Sequence, residues 1–244
     1  MRLAGKVAIV TGGTKGLGRA IAEAYVKEGC RVVCAARGAG PAGELPPPGG
    51  DLAFQQADVR DPESVRALMR TVHDAYGRLD VLVANAGVSR PGPSADLEPD
   101  AWAEVIDTNL NGTFLCAREA VPYLEKSGGG RVITMSSALA TRVARGSAAY
   151  AASKAGIEMF TRVAAVEFAA RGVTVNCLSP GFIDEGMGRE LARNERVWSH
   201  FSGKISVGRA GAADEVADAA VFLAADSSRY VNGHVLEVNG GLSW

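Results

Sequence analysis

The sequence predicts an α/β protein built on a parallel sheet, and three observations support this. Short and almost continuous apolar runs, such as Lys6–Thr11 and Asp80–Ala84, are typical of strands buried on both faces. Longer segments with apolar residues at helical spacing lie between these runs. The first strand leads directly through a glycine-rich turn into a helix. We find no repeat and no break, and therefore expect residues 1–244 to form one domain.

Composition excludes several functional classes. The 244 residues are 47% hydrophobic, enough for a sizeable core, and carry a net charge of −1. No bulk electrostatic attraction to nucleic acid or to an anionic membrane is therefore expected, and no apolar run is long enough to span a bilayer. The four cysteines lie in apolar stretches without C-x-x-C spacing, and the three histidines lack ligand spacing. These features predict a cytoplasmic protein with reduced thiols, no signal peptide and no metal site.

The turn after the first strand predicts a dinucleotide site. Glycines let the backbone approach a pyrophosphate, and the following helix, which runs to about Gly29, offers free N–H groups at its N-terminus. The alternative is a tight strand-to-helix turn without a ligand. The candidate cofactor residues in this turn are Gly12, Thr14, Lys15, Gly16, Leu17 and Gly18.

The end of the second strand, Arg31–Ala36, bears on which cofactor is used. An NAD site would place an acidic residue there for the adenosine ribose, but Ala36 stands at that point and Arg37 follows. With Lys15 also nearby, NADP fits better than NAD, which we consider the less favoured cofactor. The alternative is that Arg37 is a solvated loop cation.

The next crossover departs from the usual pattern. Residues 38–50 are rich in proline and glycine and predict a loop in place of a helix. The strand Leu52–Ala57 follows, and then a helix capped by Asp61 with Pro62 in its first turn, ending near Gly77.

A long helical pattern runs from Pro99 to about Lys126, after the strand Asp80–Ala84. Asn109 lies in the middle of this pattern, where asparagine is a poor helix former. The pattern therefore indicates either an exposed helical asparagine or a kink at which the side chain has a specific task.

Tyr150 and Lys154 carry the candidate chemistry. The two residues are four apart at the start of a predicted helix that runs to Arg171, so they lie on one helix face. An ammonium beside a phenol lowers the pKa of the phenol, and such a phenol can act as a general acid or base. The spacing also occurs by chance on ordinary surface helices. Just before this helix the fifth strand, Arg131–Met135, runs into Ser136 and Ser137, where open α/β sheets bind ligands.

The remainder of the chain predicts two more strands and a lid. The sixth strand, Val173–Leu178, is followed by the polar segment 182–213, a candidate substrate lid. Asp214 is expected to cap the next helix, and residues 233–241 supply the last strand and turn.

Taken together, these residues resemble the short-chain dehydrogenase/reductase family over essentially the whole chain, and most closely its branch of oxoacyl carrier-protein reductases and secondary-alcohol dehydrogenases. The resemblance rests on motifs in the family's order. They are Thr11-Gly12…Gly16-Leu-Gly18, Asp58-Val59, Asn85-Ala86-Gly87, Asn109, Ser137, Tyr150…Lys154, Pro180-Gly181, Val207-Gly-Arg-Ala-Gly and Val238-Asn-Gly-Gly241.

The resemblance implies a single-domain Rossmann fold with a seven-stranded parallel sheet, helices on both faces and a homotetramer. It implies that Tyr150 is the catalytic acid/base, that Lys154 lowers its pKa and holds the nicotinamide ribose, and that Ser137, thirteen residues before Tyr150, binds the substrate oxygen. Asn109 would anchor a water that relays protons to Lys154. The other cofactor contacts that the resemblance implies are Asp58 near adenine, Asn85 and Gly87 along the adenosine ribose, Ile183 at the nicotinamide amide, and Val59, Ala86, Pro180 and Gly181 within the quoted motifs.

The sequence departs from the family's pattern at three places. Ala84 replaces a frequent asparagine, residues 38–50 replace a helix near the adenine end, and Glu185 stands where many members have a threonine at the nicotinamide carboxamide. Glu185 could accept from that amide or face the substrate. Arg142 and Arg145 border the expected substrate pocket, where they could receive an anionic group or form surface ion pairs.

The leading hypothesis is a cytoplasmic NADP-dependent oxidoreductase that acts on a small-molecule carbonyl or secondary alcohol. An alternative within this class is an oxoacyl-thioester reductase acting on carrier protein. A regulator that binds NADP(H) without turnover is the alternative from another class, and the presence of all four catalytic residue types argues against it.

Overall fold

A seven-stranded parallel sheet is the centre of the protein. The computed structural model describes residues 1–38, 48–186, 188–189 and 195–243, and only the backbone of residues 196, 197 and 200. The strands are β1 (Val7–Thr11), β2 (Arg31–Ala36), β3 (Leu52–Gln56), β4 (Val81–Ala84), β5 (Arg131–Met135), β6 (Thr174–Pro180) and β7 (Val235–Val238). Their spatial order is β3-β2-β1-β4-β5-β6-β7, and every pair is parallel. The predicted α/β fold is thereby confirmed.

Seven α-helices accompany the sheet in the described part of the chain. They are α1 (Gly16–Lys27), α2 (Pro62–Tyr76), α3 (Pro99–Ile106), α4 (Gly112–Lys126), α5 (Ala148–Ala169), α6 (Glu195–Ser202) and α7 (Ala213–Ala224). Helices α1 and α7 cover one face of the sheet, and α2, α4 and α5 cover the other. None of these helices is both long enough and apolar enough to cross a bilayer.

Strand β1 shows why its residues form a central strand. Val7 and Ile9 pack into the core beneath α2, α4 and α5, whereas Ala8 and Val10 pack into the core beneath α1 and α7. Because neighbouring side chains of a strand point to opposite faces, a strand covered on both sides must be apolar at every position. All five residues of β1 are buried, as the continuous apolar run predicts.

The strand order places the site at the carboxyl ends of the central strands. The chain runs outward from β1 to β3, returns to form β4 beside β1, and then continues in the opposite direction. Ligands bind at the carboxyl ends of the strands where this order reverses. The turns after β1 and β4 therefore meet at one crevice, next to the end of β5.

The kink predicted at Asn109 is present. Residues Asp107–Asn111 form a π-helical turn between α3 and α4, and the side chain of Asn109 is fully buried. A π turn widens the helix by one residue and interrupts the regular hydrogen-bond ladder, and such turns are frequent at functional sites. The interpretation of Asn109 as an exposed helical residue is therefore wrong.

Asp61 and Asp214 were predicted to be helix N-cap residues, and the second of these predictions is wrong. Asp61 caps α2 by accepting a hydrogen bond from the backbone N–H of Glu63, as expected. Asp214 does not cap α7, because it lies inside the first turn and Ala212 is the N-cap residue. The Glu215 carboxylate instead accepts a hydrogen bond from the Ala212 backbone N–H at 2.7 Å. A side chain that reaches back from the first turn satisfies the same backbone donor.

Two predicted segments lie partly outside the described residues. Of the loop 38–50, residues 39–47 are outside them, whereas Gly49 and Gly50 are held by hydrogen bonds to the Tyr76 hydroxyl. Of the candidate lid segment 182–213, residues 187 and 190–194 are outside them. The described part of this segment contains α6, in which Phe201 packs against Phe182 with ring centroids 4.7 Å apart.

Candidate active site

The glycine turn between β1 and α1 has the shape of a phosphate site. Gly12 and Gly16 adopt positive φ angles of 66° and 59°, which side chains other than glycine rarely take. A Cβ atom at Gly18 would lie 2.3 Å from the carbonyl oxygen of Gly12, so the helix can approach the turn only without a side chain there. This turn, which we call the cofactor cradle, fits a pyrophosphate because the glycines at 12, 16 and 18 let the backbone come close to a ligand.

The N-terminus of α1 supports the same assignment. Its cap residue, Lys15, makes no side-chain capping bond, and its first turn contains no acidic residue. The free N–H groups and the positive end of the helix dipole are therefore available to an anion. Thr14 is buried beside Lys15, whose side chain is exposed, and Leu17 packs against the core.

Asn85 joins the turn after β4 to the glycine turn. Its amide donates to the backbone oxygen of Thr11 at 2.9 Å, and the Thr11 hydroxyl accepts hydrogen bonds from the backbone N–H groups of Asn85 and Ala86, each at 3.0 Å. The Asn85 side chain thus supports the shape of the cradle, and its contact with the adenosine ribose remains a prediction. Thr11 has a bridging role that the sequence reasoning did not assign to it.

The adenosine end combines one carboxylate with two cations. Arg60 forms a bidentate ion pair with Asp58, with a closest distance of 2.6 Å. The Arg60 hydrogen bonds lower the pKa of Asp58, and the positive charge of Arg37 lowers it further. Arg37 is exposed at the end of β2 and its side chain makes no hydrogen bond to the described residues. Arg60 is a second cation at this end that the sequence reasoning missed, although its position two residues after Asp58 was a readable signal.

The catalytic candidates converge at the end of β5. The ammonium of Lys154 is buried and donates to the backbone oxygen of Met135 at 2.7 Å, and it lies 5.4 Å from the ring centroid of Tyr150. Ser137 follows the strand and lies close enough to Tyr150 to lower the pKa of its hydroxyl. Its own oxygen accepts from the backbone N–H of Leu139 at 3.2 Å, which leaves the Ser137 proton free to be donated.

Asn109 closes the site from the π-helical turn. Its amide accepts from the backbone N–H of Val88 at 2.8 Å, and it donates to the Val88 oxygen and to the Ser153 hydroxyl, each at 3.0 Å. A Cβ atom at Gly87 would lie 3.3 Å from the Asn109 oxygen and 3.7 Å from the Lys154 nitrogen. Asn109 and Lys154 therefore border the same small space beside Gly87.

The predicted direction of the Tyr150 pKa shift is corrected. Burial raises the pKa of Tyr150 above its usual value, and the neighbouring Ser137 side chain only partly opposes this shift. Burial also lowers the pKa of Lys154 to about 8. The low-dielectric surroundings therefore outweigh the attraction between ammonium and phenolate, because Lys154 points to the carbonyl of Met135.

Ser136 and Ser137 have different roles. The Ser136 hydroxyl is buried and directed toward Glu158, to whose carboxylate it donates at 2.9 Å. Ser137, in contrast, lies close enough to Tyr150 to lower the pKa of its hydroxyl. The engagement of Ser136 by Glu158 therefore supports the choice of Ser137 that the spacing to Tyr150 suggests.

The contacts of Glu185 and Arg142, near the end of β6, decide between the alternatives that the sequence left for these two residues. Glu185 pairs with Arg189 at 2.6 Å, and Arg142 pairs with Glu237 at 3.0 Å, so both side chains are engaged on the surface. Arg145 is exposed, without an ion pair to the described residues. Gly181 lies where a Cβ would come within 2.7 Å of Asn239, and Ile183 is buried beside it. Pro180 ends β6, so the predicted residues Pro180, Gly181 and Ile183 form one wall.

The described residues contain no cluster of three or more histidine, cysteine or acidic side chains that could hold a metal ion. All four cysteines are buried and unpaired, and burial raises the pKa of the Cys30 and Cys116 thiols to about 12. These thiols are core residues, as predicted.

Comparisons with known proteins agree with this geometry. The family model described as Enoyl-(Acyl carrier protein) reductase matches residues 12–243. The 3-oxoacyl-[acyl-carrier-protein] reductase FabG of Salmonella typhimurium is 37% identical over 243 residues, covering 99% of each chain. The enzyme of the same name from Staphylococcus aureus (strain Mu50) is 36% identical and covers 97% of this chain and 98% of its own length.

Solved structures give the same result. A candidate short-chain alcohol dehydrogenase from Sinorhizobium meliloti 1021 has a TM-score of 0.91 and 31% identity, covering 98% of this chain and 96% of its own. A candidate NAD(P)-dependent gluconate 5-dehydrogenase from Beutenbergia cavernae, described with bound NADP at low occupancy, has a TM-score of 0.89 and 34% identity, covering 98% and 97%. The predicted NADP cofactor is consistent with that structure. The chain therefore belongs to the short-chain dehydrogenase/reductase family, and it is an oxidoreductase that acts on carbonyl and alcohol groups.

Proposed function

We propose that this chain, as one domain over residues 1–244, transfers a hydride between NADP(H) and a carbonyl or secondary-alcohol substrate. The observation that carries this proposal is the convergence of Ser137, Tyr150, Lys154 and Asn109 between the end of β5 and the turn after β4. These residues come from three different elements. Ser137 follows β5, Tyr150 and Lys154 lie on α5, and Asn109 lies in the π-helical turn. Such convergence of an acid, a hydrogen-bond donor and a buried cation is typical of a catalytic site.

The cofactor would lie along the carboxyl edge of the sheet. The glycine turn and the N-terminus of α1 would hold its pyrophosphate, Arg37 its 2′-phosphate, and the wall of Pro180, Gly181 and Ile183 its nicotinamide. When bound, the nicotinamide supplies the hydride that the reaction needs. The residues of this chain then have to orient the carbonyl, exclude water and provide one proton.

Tyr150 would supply that proton in the reductive direction. Its raised pKa keeps the phenol protonated at neutral pH, as an acid must be before it acts. Ser137 would hold the substrate oxygen through its free proton, while hydride adds to the carbonyl carbon and the Tyr150 proton adds to the oxygen. A secondary alcohol results, and the reverse steps would oxidise it.

Lys154 and Asn109 would return a proton to Tyr150. A pKa of about 8 lets the Lys154 ammonium give up and regain a proton near neutral pH at little cost. The backbone near Gly87 keeps Asn109 and Lys154 against one space that a water could share. This arrangement supports the water relay that the family resemblance implies.

A 3-oxoacyl thioester on carrier protein is the narrower candidate substrate. The full-length similarity to FabG reductases favours it. The surface gives it less support, because Arg171, a residue suited to docking an acidic carrier protein, pairs with Glu125 at 2.6 Å. Small ketones and secondary alcohols therefore remain the broader class that the site can accept.

We also propose a cytoplasmic homotetramer. Helices α4 and α5 expose one set of apolar side chains, which an interface would remove from water. Helix α7 and the segment after it expose a second set. The first set is Phe114, Met159, Val163 and Val166, and the second is Phe222 and Tyr230. Two separate apolar faces suit a closed assembly with two kinds of two-fold interface.

Light scattering on the purified protein tests the assembly. We expect a mass four times that of the chain. Val166→Glu should reduce the mass, because the most exposed valine of α5 would then carry a charge into the interface. Glu167→Gln, at the neighbouring exposed position, is the control. A monomeric wild-type protein would contradict the proposal.

The Tyr150→Phe substitution tests the catalytic proposal. Removing the hydroxyl should lower kcat by about 10²–10⁴-fold, the range that general acid catalysis contributes. Binding of NADPH, measured by fluorescence titration, should persist because the ring remains. Tyr230→Phe, at a fully exposed tyrosine, should leave both quantities unchanged. Retained turnover in Tyr150→Phe would remove Tyr150 from its role.

The Arg37→Ala substitution tests the cofactor preference. It should raise the dissociation constant of NADPH by roughly ten- to a hundredfold, because a charge-assisted hydrogen bond is lost. The dissociation constant of NADH should hardly change, since NADH lacks the 2′-phosphate. Arg70→Ala removes an exposed arginine of α2 and serves as the control. Equal effects on the two cofactors would refute the role of Arg37.

A substrate panel decides between the two substrate classes. Ketones, diketones, sugars and 3-oxoacyl thioesters, each assayed with NADPH and with NADH, should show the highest kcat/KM for one class with NADPH. A preference for thioesters by about a hundredfold or more, roughly 3 kcal/mol of transition-state binding, would select the carrier-protein function. A preference for small ketones would reject it. Turnover of none of these compounds would count against the whole proposal.

A further inference from the structure

Four successive residues at the end of β5 contact a single face of α5. Thr134 and Thr161 share a hydrogen bond of 2.7 Å between hydroxyls, and Met135 accepts from Lys154 at 2.7 Å. Ser136 donates to Glu158 at 2.9 Å, and Ser137 lies close enough to Tyr150 to lower its pKa. We call this row of four pairs the β5–α5 seam. The seam consists of Thr134–Thr161, Met135–Lys154, Ser136–Glu158 and Ser137–Tyr150.

The seam follows from helix geometry. Tyr150, Lys154, Glu158 and Thr161 are spaced four, four and three residues apart, so they stack along one side of α5. Two of these residues, Tyr150 and Lys154, belong to the proposed catalytic set. Glu158 is the next residue on the same side and has no part in the proposed chemistry. Its position, one turn beyond Lys154, suits it to a structural role beside the catalytic residues.

Glu158 is an unusual residue to find inside the protein. Only 5% of its surface is exposed, and its described polar contacts are the Ser136 hydroxyl and the Arg162 guanidinium at 3.8 Å. Cys177 lies close enough to be affected by its charge. A buried carboxylate with so few partners contributes little to stability, and an apolar residue of similar size often stabilises a protein more.

The hydroxyl of Ser136 connects this carboxylate to the catalytic residues. It contacts the Glu158 carboxylate at 2.9 Å and the backbone oxygen of Lys154 at 3.3 Å. The backbone N–H of Ser136 is fixed by the carbonyl of Leu178 on β6 at 2.7 Å. Ser136 is therefore held from two sides, and Ser137 is the next residue along the chain.

We propose that Glu158 is a positioning residue which, through Ser136, holds Ser137 against Tyr150. The inference rests on the proposed function of Ser137 and Tyr150. Glu158 keeps the end of β5 and the catalytic turn of α5 at a fixed separation, and without it Ser137 moves away from the Tyr150 hydroxyl. A displacement of about 1 Å in a catalytic group can cost about a hundredfold in rate.

Substitution of Glu158 tests this role through the kinetics. Glu158→Leu should lower kcat by about tenfold or more, with the dissociation constant of NADPH unchanged, because the cofactor cradle lies elsewhere. Glu158→Gln retains an acceptor oxygen for Ser136 and should restore most of the lost kcat. Glu167→Leu, at an exposed position of the same helix, is the matched control and should behave as wild type.

The ionisation of Tyr150 gives a readout that does not depend on turnover. Ser137 lowers the pKa of Tyr150, so its displacement in Glu158→Leu should raise that pKa further. The Tyr150 phenolate can be followed by near-ultraviolet absorbance, as the difference between each protein and the same protein carrying Tyr150→Phe. If wild-type protein reduced no carbonyl, the proposed function would fail, yet this titration would still decide whether Glu158 positions Ser137.

A double-mutant cycle separates positioning from general damage. Ser136→Ala removes the donor and should reproduce the loss of kcat and the raised Tyr150 pKa. The combination with Glu158→Leu should be no worse than either single change, because both act on one contact. Thermal unfolding should show that Glu158→Leu keeps its stability, since a buried charge is removed.

Three results would overturn the proposal. The first is a folded Glu158→Leu variant with wild-type kcat and an unchanged Tyr150 titration. The second is additive effects in the double mutant. The third is a Ser136→Ala variant with wild-type kcat and an unchanged Tyr150 titration. This result decides the matter if Glu158→Leu fails to fold, and Glu158→Gln then serves as the second variant.

Discussion

The site depends on the hydrogen bond between the Lys154 ammonium and the backbone oxygen of Met135. This bond of 2.7 Å joins α5 to the end of β5 inside the protein, where only 4% of Lys154 is exposed. Burying an ammonium is costly, and the pKa of Lys154 falls to about 8 as a result. The carbonyl dipole offsets part of that cost. Because Ser137 lies two residues beyond Met135 and Tyr150 one turn before Lys154, this single contact brings both near each other.

A second constraint comes from the π-helical turn. The turn directs Asn109 inward, where its amide binds the backbone of Val88 after β4 and the Ser153 hydroxyl on α5. A regular helix through this region would carry Asn109 past the site, because its side chain would rotate with the helix by about 100° per residue. The irregular turn therefore closes the site between the turn after β4 and α5.

Sequence reasoning located most of the site because strand ends are predictable. The apolar runs of β2 and β5 end where the structure ends them, at Ala36 and Met135. In a parallel sheet the carboxyl ends of the strands lie on the same side, so polar residues just beyond them line one ligand-binding crevice. A kink at Asn109 was one of two interpretations that the sequence allowed, because asparagine in a helical pattern is a poor helix former, and the buried side chain decides between them.

The errors of sequence reasoning have a common physical origin. The pKa of Tyr150 depends on the balance between burial and nearby charge, and spacing reveals only the charge. The capping of α7 depends on whether the Glu215 side chain adopts the rotamer that reaches the Ala212 backbone N–H, and the sequence does not reveal this rotamer. Glu158 was overlooked for a similar reason, because a charged residue on a mostly apolar helix is usually exposed. Its spacing of four from Lys154 was the signal that could have revealed it.

The charges at the adenosine end explain why the missing acid after β2 matters. In many dinucleotide sites a carboxylate at that point repels a 2′-phosphate. Here the carboxylate present, Asp58, comes from the neighbouring strand and is already bound by both nitrogens of the Arg60 guanidinium that face it. Its negative charge is thereby offset locally, and the positive charge of the exposed Arg37 lowers its pKa further. A phosphate arriving at this end meets two arginines and a single carboxylate that one of them already holds. The preference for NADP that we propose rests on the combination of an absent acid after β2 and a carboxylate whose charge Arg60 offsets.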